Sequence, residues 1–105
     1  MFVRVAAILF LVACTSSGQP TGISNLSCPP DSTLTYANFG EDSIAANCLS
    51  CHNRTKPLLT TQAQIQAEAS TILDVAVYTD AMPRNANMPL PERELLGEWL
   101  ACGAR

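Results

Sequence analysis

The sequence of 105 residues predicts one small all-α domain of about three helices. Three observations predict it. Apolar residues recur at helical spacing in two stretches. Ile65, Ala69, Ile72, Leu73, Ala76 and Val77 share one face, and Leu95, Leu96, Trp99 and Leu100 share another. Start and stop signals bound these stretches: Thr35 and Thr61 stand where caps belong, Pro91 at a first helical position, and Gly103 just past an end. The third observation is the run Cys48-Leu49-Ser50-Cys51-His52, a Cys-x-x-Cys-His sequence, which is the attachment signature of a c-type haem. The helices are therefore expected to gather around one covalently bound haem.

Each residue of that run has a chemical reason for its place. Two thiols add across the two vinyl groups of the porphyrin as thioethers, and a separation of three positions lets both sulfurs reach one ring edge. The His directly after the second Cys comes beneath the macrocycle, where its imidazole binds iron as the proximal axial ligand. Cys48 and Cys51 are the expected thioether residues, His52 the expected proximal ligand, and haem c the expected cofactor. A zinc half-site and a thioredoxin-like dithiol are the competing readings. A closed zinc site needs four ligands, and this chain has a single His and no second Cys-x-x-Cys pair. A thioredoxin-like pair follows a strand in a βαβ pattern, which the sequence lacks.

The chain begins with a short export signal. Arg4 is its positive region and Val5 to Ala13 its apolar region, too short to span a bilayer as a helix. Leu11-Val12-Ala13-Cys14 resembles the lipobox of bacterial lipoproteins. That resemblance implies cleavage after residue 13 and a diacylglycerol on Cys14, which then anchors the protein by acyl chains. Ordinary signal cleavage with a free Cys14 is the alternative. The expected location is the periplasmic or cell-surface side of a bacterial membrane. Residues 14–27 are rich in Ser, Thr, Gly, Pro and Asn, with only Ile23 and Leu26 as larger aliphatics, and read as a flexible tether.

Without the leader the charged residues number five basic against nine acidic, a balance of −4. That argues against nucleic acid and is compatible with a basic partner surface. Of the five cysteines, Cys28 and Cys102 remain after the lipid and haem positions. They bracket a domain spanning 28–105, and an exported compartment permits a disulfide between them. Two free buried thiols are the alternative.

Within 28–105 the expected helices run from about Tyr36 to Cys48, from Thr61 to about Tyr78, and from Pro91 to Ala101. A helix leading into Cys-x-x-Cys-His, with Phe39 and Gly40 nine and eight residues before Cys48, resembles the N-terminal helix of class I cytochromes c. The resemblance implies a small cytochrome c-like fold, in which a small residue at Gly40 lets the closing helix cross closely and Phe39 packs in the crossing. Glu92-Arg93-Glu94, Leu96 and Trp99-Leu100 resemble that closing helix. A proximal His generally donates its Nδ1–H to a backbone carbonyl. In the family a Pro carbonyl accepts it, and Pro57 is the candidate here, closer to the His than in longer family loops.

The loop 80–90 holds two Met-Pro pairs, Met82-Pro83 and Met88-Pro89. A thioether is a soft ligand that raises the potential, and the family places its distal Met in a loop before the last helix. Met82 stands about ten residues before the Glu-Arg pair, a spacing similar to that of the mitochondrial members, and is the expected sixth ligand. Met88 stands four before it and is the alternative, and a further one is that both pack and the sixth position is open. The resemblance covers about 28–105; the Cys28 and Cys102 pair lies outside its common pattern.

The expected function is a membrane-tethered monohaem carrier of single electrons, with a redox protein as partner and no enzymatic activity of its own. An open-site haem protein, sensing a gas or peroxide or serving a peroxidase, is the second reading. A non-haem, disulfide-stabilised lipoprotein is the third.

Overall fold

Local hydrogen-bonding chemistry sets the start of each helical body. In the computed structural model, which describes residues 18–84 and 86–105, Thr35 Oγ1 accepts from the Asn38 N–H at 3.1 Å, and Asn38 Oδ1 accepts from the Thr35 N–H at 2.7 Å. This reciprocal cap satisfies two donors that a helix start leaves unpaired. It opens a wide π-helical turn, Tyr36–Gly40, which runs into α1 (Glu41–Asn47). Glu41 and Asp42 sit in the first turn of α1, on the favourable side of the helix dipole. The helix breaks at Cys48 and resumes as α2 (Leu49–His52).

The second body starts with the same device. Thr61 Oγ1 accepts from the Gln64 N–H at 3.2 Å, and Gln64 Oε1 accepts from the Thr61 N–H at 3.1 Å and the Thr60 N–H at 2.9 Å. It comprises α3 (Gln62–Ala67), α4 (Ala69–Ile72) and a π-helical turn, Leu73–Val77, with a break at Glu68. The glutamines here do more than face solvent: the Gln62 and Gln66 amides both donate to the Ala104 carbonyl, at 3.0 and 3.2 Å. The third body is α5 (Leu90–Ala101), with Pro91 in its first turn and Gly103 beyond its end at φ 84°. The fold is all-α; among the described residues there is no strand, and Pro20 and Thr79 form an isolated antiparallel bridge.

The core is built where these bodies cross. Trp99, Ile44, Ile65, Leu96 and Val77 are its largest fully buried side chains. Tyr36 stacks on Trp99 at 6.4 Å between ring centres, and Phe39 meets the same ring edge-on at 6.3 Å. A Cβ on Gly40 would collide with the Trp99 ring, so α5 reaches this depth only because residue 40 has no side chain. Gly97 serves the adjoining contact, where a Cβ would overlap Leu26 and Val77. Leu95, expected on the apolar face of α5, is instead 46% exposed; the buried register runs through Arg93, Leu96, Gly97 and Leu100.

Two ends of the domain are tied. Cys28 and Cys102 stand at disulfide distance, with Cα atoms 4.6 Å apart across a separation of 74 residues. By the chain-entropy argument, closing so long a loop is worth about 4 kcal/mol. Within the described part of the segment expected as a tether, residues 19–21 run beside 77–80: Thr21 N–H donates to Tyr78 O at 3.0 Å and Asp80 N–H to Gln19 O at 3.0 Å. Ile23 and Leu26 pack on the core, so these two aliphatics suffice to fasten an otherwise polar stretch. The export signal (1–13) and Cys14 lie outside the described residues, and no described helix is long and apolar enough to cross a membrane.

Replacing Gly40 with Val should lower stability by about 2 kcal/mol through overpacking against Trp99. The denaturation midpoint followed by Trp99 fluorescence checks it; an unchanged midpoint would mean that the crossing does not depend on the missing side chain.

Candidate functional site

The break at Cys48 shapes the site. Cys48 closes α1 and begins α2 with φ −121° and ψ −36°, so the run 48–52 turns as a unit. The His52 N–H donates to Cys48 O at 2.9 Å. Beyond α2 the chain folds back, and the Leu59 N–H donates to His52 O at 3.0 Å. This return brings two carbonyls to the imidazole: His52 Nδ1 lies 2.9 Å from Pro57 O and 3.1 Å from Thr55 O. Both neighbours can only accept, so Nδ1 carries a hydrogen, and in the neutral tautomer the lone pair falls on Nε2. Pro57 is thus the carbonyl partner expected for the His, with Thr55 as a second.

The two thiols of the run differ. Cys51 is exposed and Cys48 half-buried. Burial pushes the Cys48 thiol up to about 11, and the Glu92 carboxylate adds to the effect by disfavouring a thiolate beside it. Glu92 is held there by Asn47, whose amide donates to Glu92 Oε1 at 2.8 Å and to Ser43 O at 2.9 Å. A single Asn thereby joins the end of α1 to the start of α5.

These residues border a cleft of about 530 Å³. Cys48, Cys51 and His52 line it from α2. Leu59, Ile72, Val75 and Ala76 supply apolar wall, and Met82, Pro83 and Arg84 line it from the loop before α5. The two methionines of that loop part company. Met82 borders the cleft and is half-buried; Met88 is 2% exposed and belongs to the hydrophobic core. Among the described residues no three His, Cys, Asp or Glu side chains converge as a metal-ligand group, which a closed tetrahedral zinc site requires.

Arg93 is the functional residue that sequence reasoning passes over. It is 6% exposed, yet its guanidinium meets backbone oxygens. Nε donates to Met88 O at 2.9 Å, and one terminal nitrogen donates to Ala76 O at 2.7 Å and Met82 O at 2.8 Å. The same nitrogen lies 3.5 Å from Thr79 O. One side chain of α5 therefore fastens both ends of the Met82–Met88 loop and the end of the second body. The Met82 N–H adds a bond to Val75 O at 2.8 Å. A signal for Arg93 exists in the sequence: it shares the register of Leu96, Gly97 and Leu100, so its stem is carried inward with them.

No protein-family model, curated protein or solved structure matches this chain. The chemistry of the cleft is therefore argued from its own residues.

Two outcomes are expected. Arg93→Met leaves several buried carbonyls without donors and should cost about 3 kcal/mol, with faster hydrogen exchange at the Met82 amide. Denaturant unfolding together with exchange measured by NMR checks both. In the chain before any thioether forms, iodoacetamide should modify Cys51 first, with the Cys48 rate still climbing as pH nears about 11. Because folding raises the Cys48 thiol, its contribution to stability is present below the ordinary thiol range and is lost as pH rises from there to about 11. Mass spectrometry of the alkylated chain across pH reads the order directly.

Proposed function

We propose that this chain is a membrane-tethered monohaem c-type cytochrome that carries one electron at a time. The observation that carries the proposal is the cleft shared by Cys48, Cys51, His52 and Met82, with the Nδ1 edge of His52 engaged by Pro57 O, which leaves Nε2 as the nitrogen available to a metal. The residues suit the group. Two thiols stand three positions apart, a soft thioether and an imidazole border one apolar cavity, and its volume lies within the range of cofactor sites.

On this reading Cys48 and Cys51 hold haem c as thioethers, His52 is the proximal ligand, and Met82 is the distal one. Met88 is disfavoured because its side chain is committed to the core. The chemistry supplied by the bound group is reversible one-electron exchange at its iron. The chain's own residues do the rest. Pro57 and Thr55 hold the imidazole ring in one tautomer and strengthen its Nε2 as a donor. Arg93 and Val75 hold the backbone of Met82, which gives the thioether a fixed origin. Leu59, Ile72 and Val75 keep water from the cleft wall. Holding both axial side chains on a bonded backbone lets the oxidised and reduced states share one geometry. With both axial positions supplied by the protein, the chain has no place for a substrate and acts as a carrier. The Cys14 lipid of the lipobox reading would tether it at an exported membrane face, where a redox protein exchanges the electron.

Protein exported by a host with a c-type haem maturation system should show covalent haem and the weak long-wavelength band of ferric His–Met coordination in its visible spectrum. Met82→Ala should abolish that band, and Met88→Ala should leave it. Covalent haem without the band and with ready binding of carbon monoxide would establish the open-site reading; a colourless protein would sink the haem proposal altogether.

A further inference from the structure

The turn that carries Met82 leaves the second helical body after Val77, and its backbone groups must find partners elsewhere in the fold. Those partners come from two sides. On the α5 side, Arg93 donates to the Ala76 and Met82 carbonyls at 2.7 and 2.8 Å and lies 3.5 Å from the Thr79 carbonyl. On the other side, residues 19–21 meet the groups in between. The Thr21 hydroxyl donates to Val77 O, and the Thr21 N–H donates to Tyr78 O at 3.0 Å. Gln19 O accepts from the Asp80 N–H at 3.0 Å, and the Asp80 carboxylate accepts from the Gln19 N–H at 2.6 Å. The two sets interleave along the chain without sharing a carbonyl.

The segment that supplies the second set is itself held at both ends. Leu26 packs where a Cβ on Gly97 of α5 would overlap it, and its N–H donates to the Tyr78 hydroxyl at 3.3 Å. Gly18 lies so close to the turn that a Cβ there would overlap the Ala81 amide nitrogen. Between these ends the Thr21 hydroxyl works twice, since it also accepts from the Ile23 N–H at 3.2 Å. The segment therefore reaches from α5 to the residue next to Met82.

We propose that Gln19 and Thr21 are positioning residues for Met82: with Arg93 they form a two-sided cradle that keeps the thioether at the cleft and keeps outside ligands from taking its place. One guanidinium nitrogen shared among carbonyls fixes a point on the turn. The contacts on the opposite side fix the direction in which the turn leaves that point. Val77 is fully buried, so its carbonyl has no water to replace the Thr21 hydroxyl, and losing that donor carries the desolvation cost of a stranded acceptor. The support of a distal ligand rests on the haem reading; the cradle does not.

The test uses the exported, haem-loaded protein, with imidazole as the probe that competes with a thioether for ferric iron, and amide exchange of the reduced protein read by NMR. Thr21→Val keeps the branched shape and removes the hydroxyl. It should bind imidazole about tenfold more tightly and exchange the Asp80 and Met82 amides about tenfold faster. The His52 amide, bonded to Cys48 O, should keep its rate. Thr21→Ser returns the hydroxyl and should return both readouts. Gly18→Leu retains every hydrogen-bonding group but displaces the segment, and should move both readouts as Thr21→Val does. Unchanged imidazole affinity in Thr21→Val, in a protein that shows the His–Met band, overturns the proposal. So does acceleration as large at His52 as at Met82, which is general loosening, or a Ser variant that behaves as the Val one. If no haem attaches, or the band is absent, the reading of Met82 as ligand fails by itself. Exchange then decides the cradle, kept by acceleration confined to Asp80 and Met82 and removed by equal rates.

Discussion

The Trp99 ring occupies the space that a side chain at Gly40 would need, and most of this structure hangs on that approach. It fixes the distance between the first helical body and α5. Tyr36 and Phe39 add aromatic contacts on the same ring, and the Trp99 indole N–H donates to Arg105 O at 3.0 Å, so a large apolar side chain is buried without a stranded polar atom. Once α5 is seated there, Glu92 comes to Asn47 and Cys48 at one end, and Cys102 comes to Cys28 at the other. The cleft is thus framed by an aromatic contact in which none of its own lining residues takes part.

Arg93 carries the consequence of that seating to the loop. A buried guanidinium has lost its water, and in this protein the replacement is a set of backbone carbonyls from Ala76, Met82 and Met88. Carbonyl dipoles compensate a cation without a carboxylate partner. Loops ordinarily sample many conformations; this one is tied at both methionines by the same side chain.

The sequence by itself determined the local features. Thr35 and Thr61 were legible as caps because a cap is made within three residues, and the three helical bodies were legible because burial repeats at helical spacing. The Cys-x-x-Cys-His run was legible as a candidate site because its side chains stand in five adjacent positions, and the Cys28–Cys102 pairing followed from the count of cysteines. Only the tertiary structure decided the rest. It put Met82 on the cleft and Met88 in the core, although both are Met-Pro pairs in one loop. It set Ile23 and Leu26 against the core, gave Gln62 and Gln66 a partner in Ala104, exposed Leu95, and made Arg93 a clamp. Each of these depends on atoms brought together from positions 5 to about 70 residues apart. Spacing along the chain does not encode such meetings; the crossing at Gly40 and Trp99 makes them.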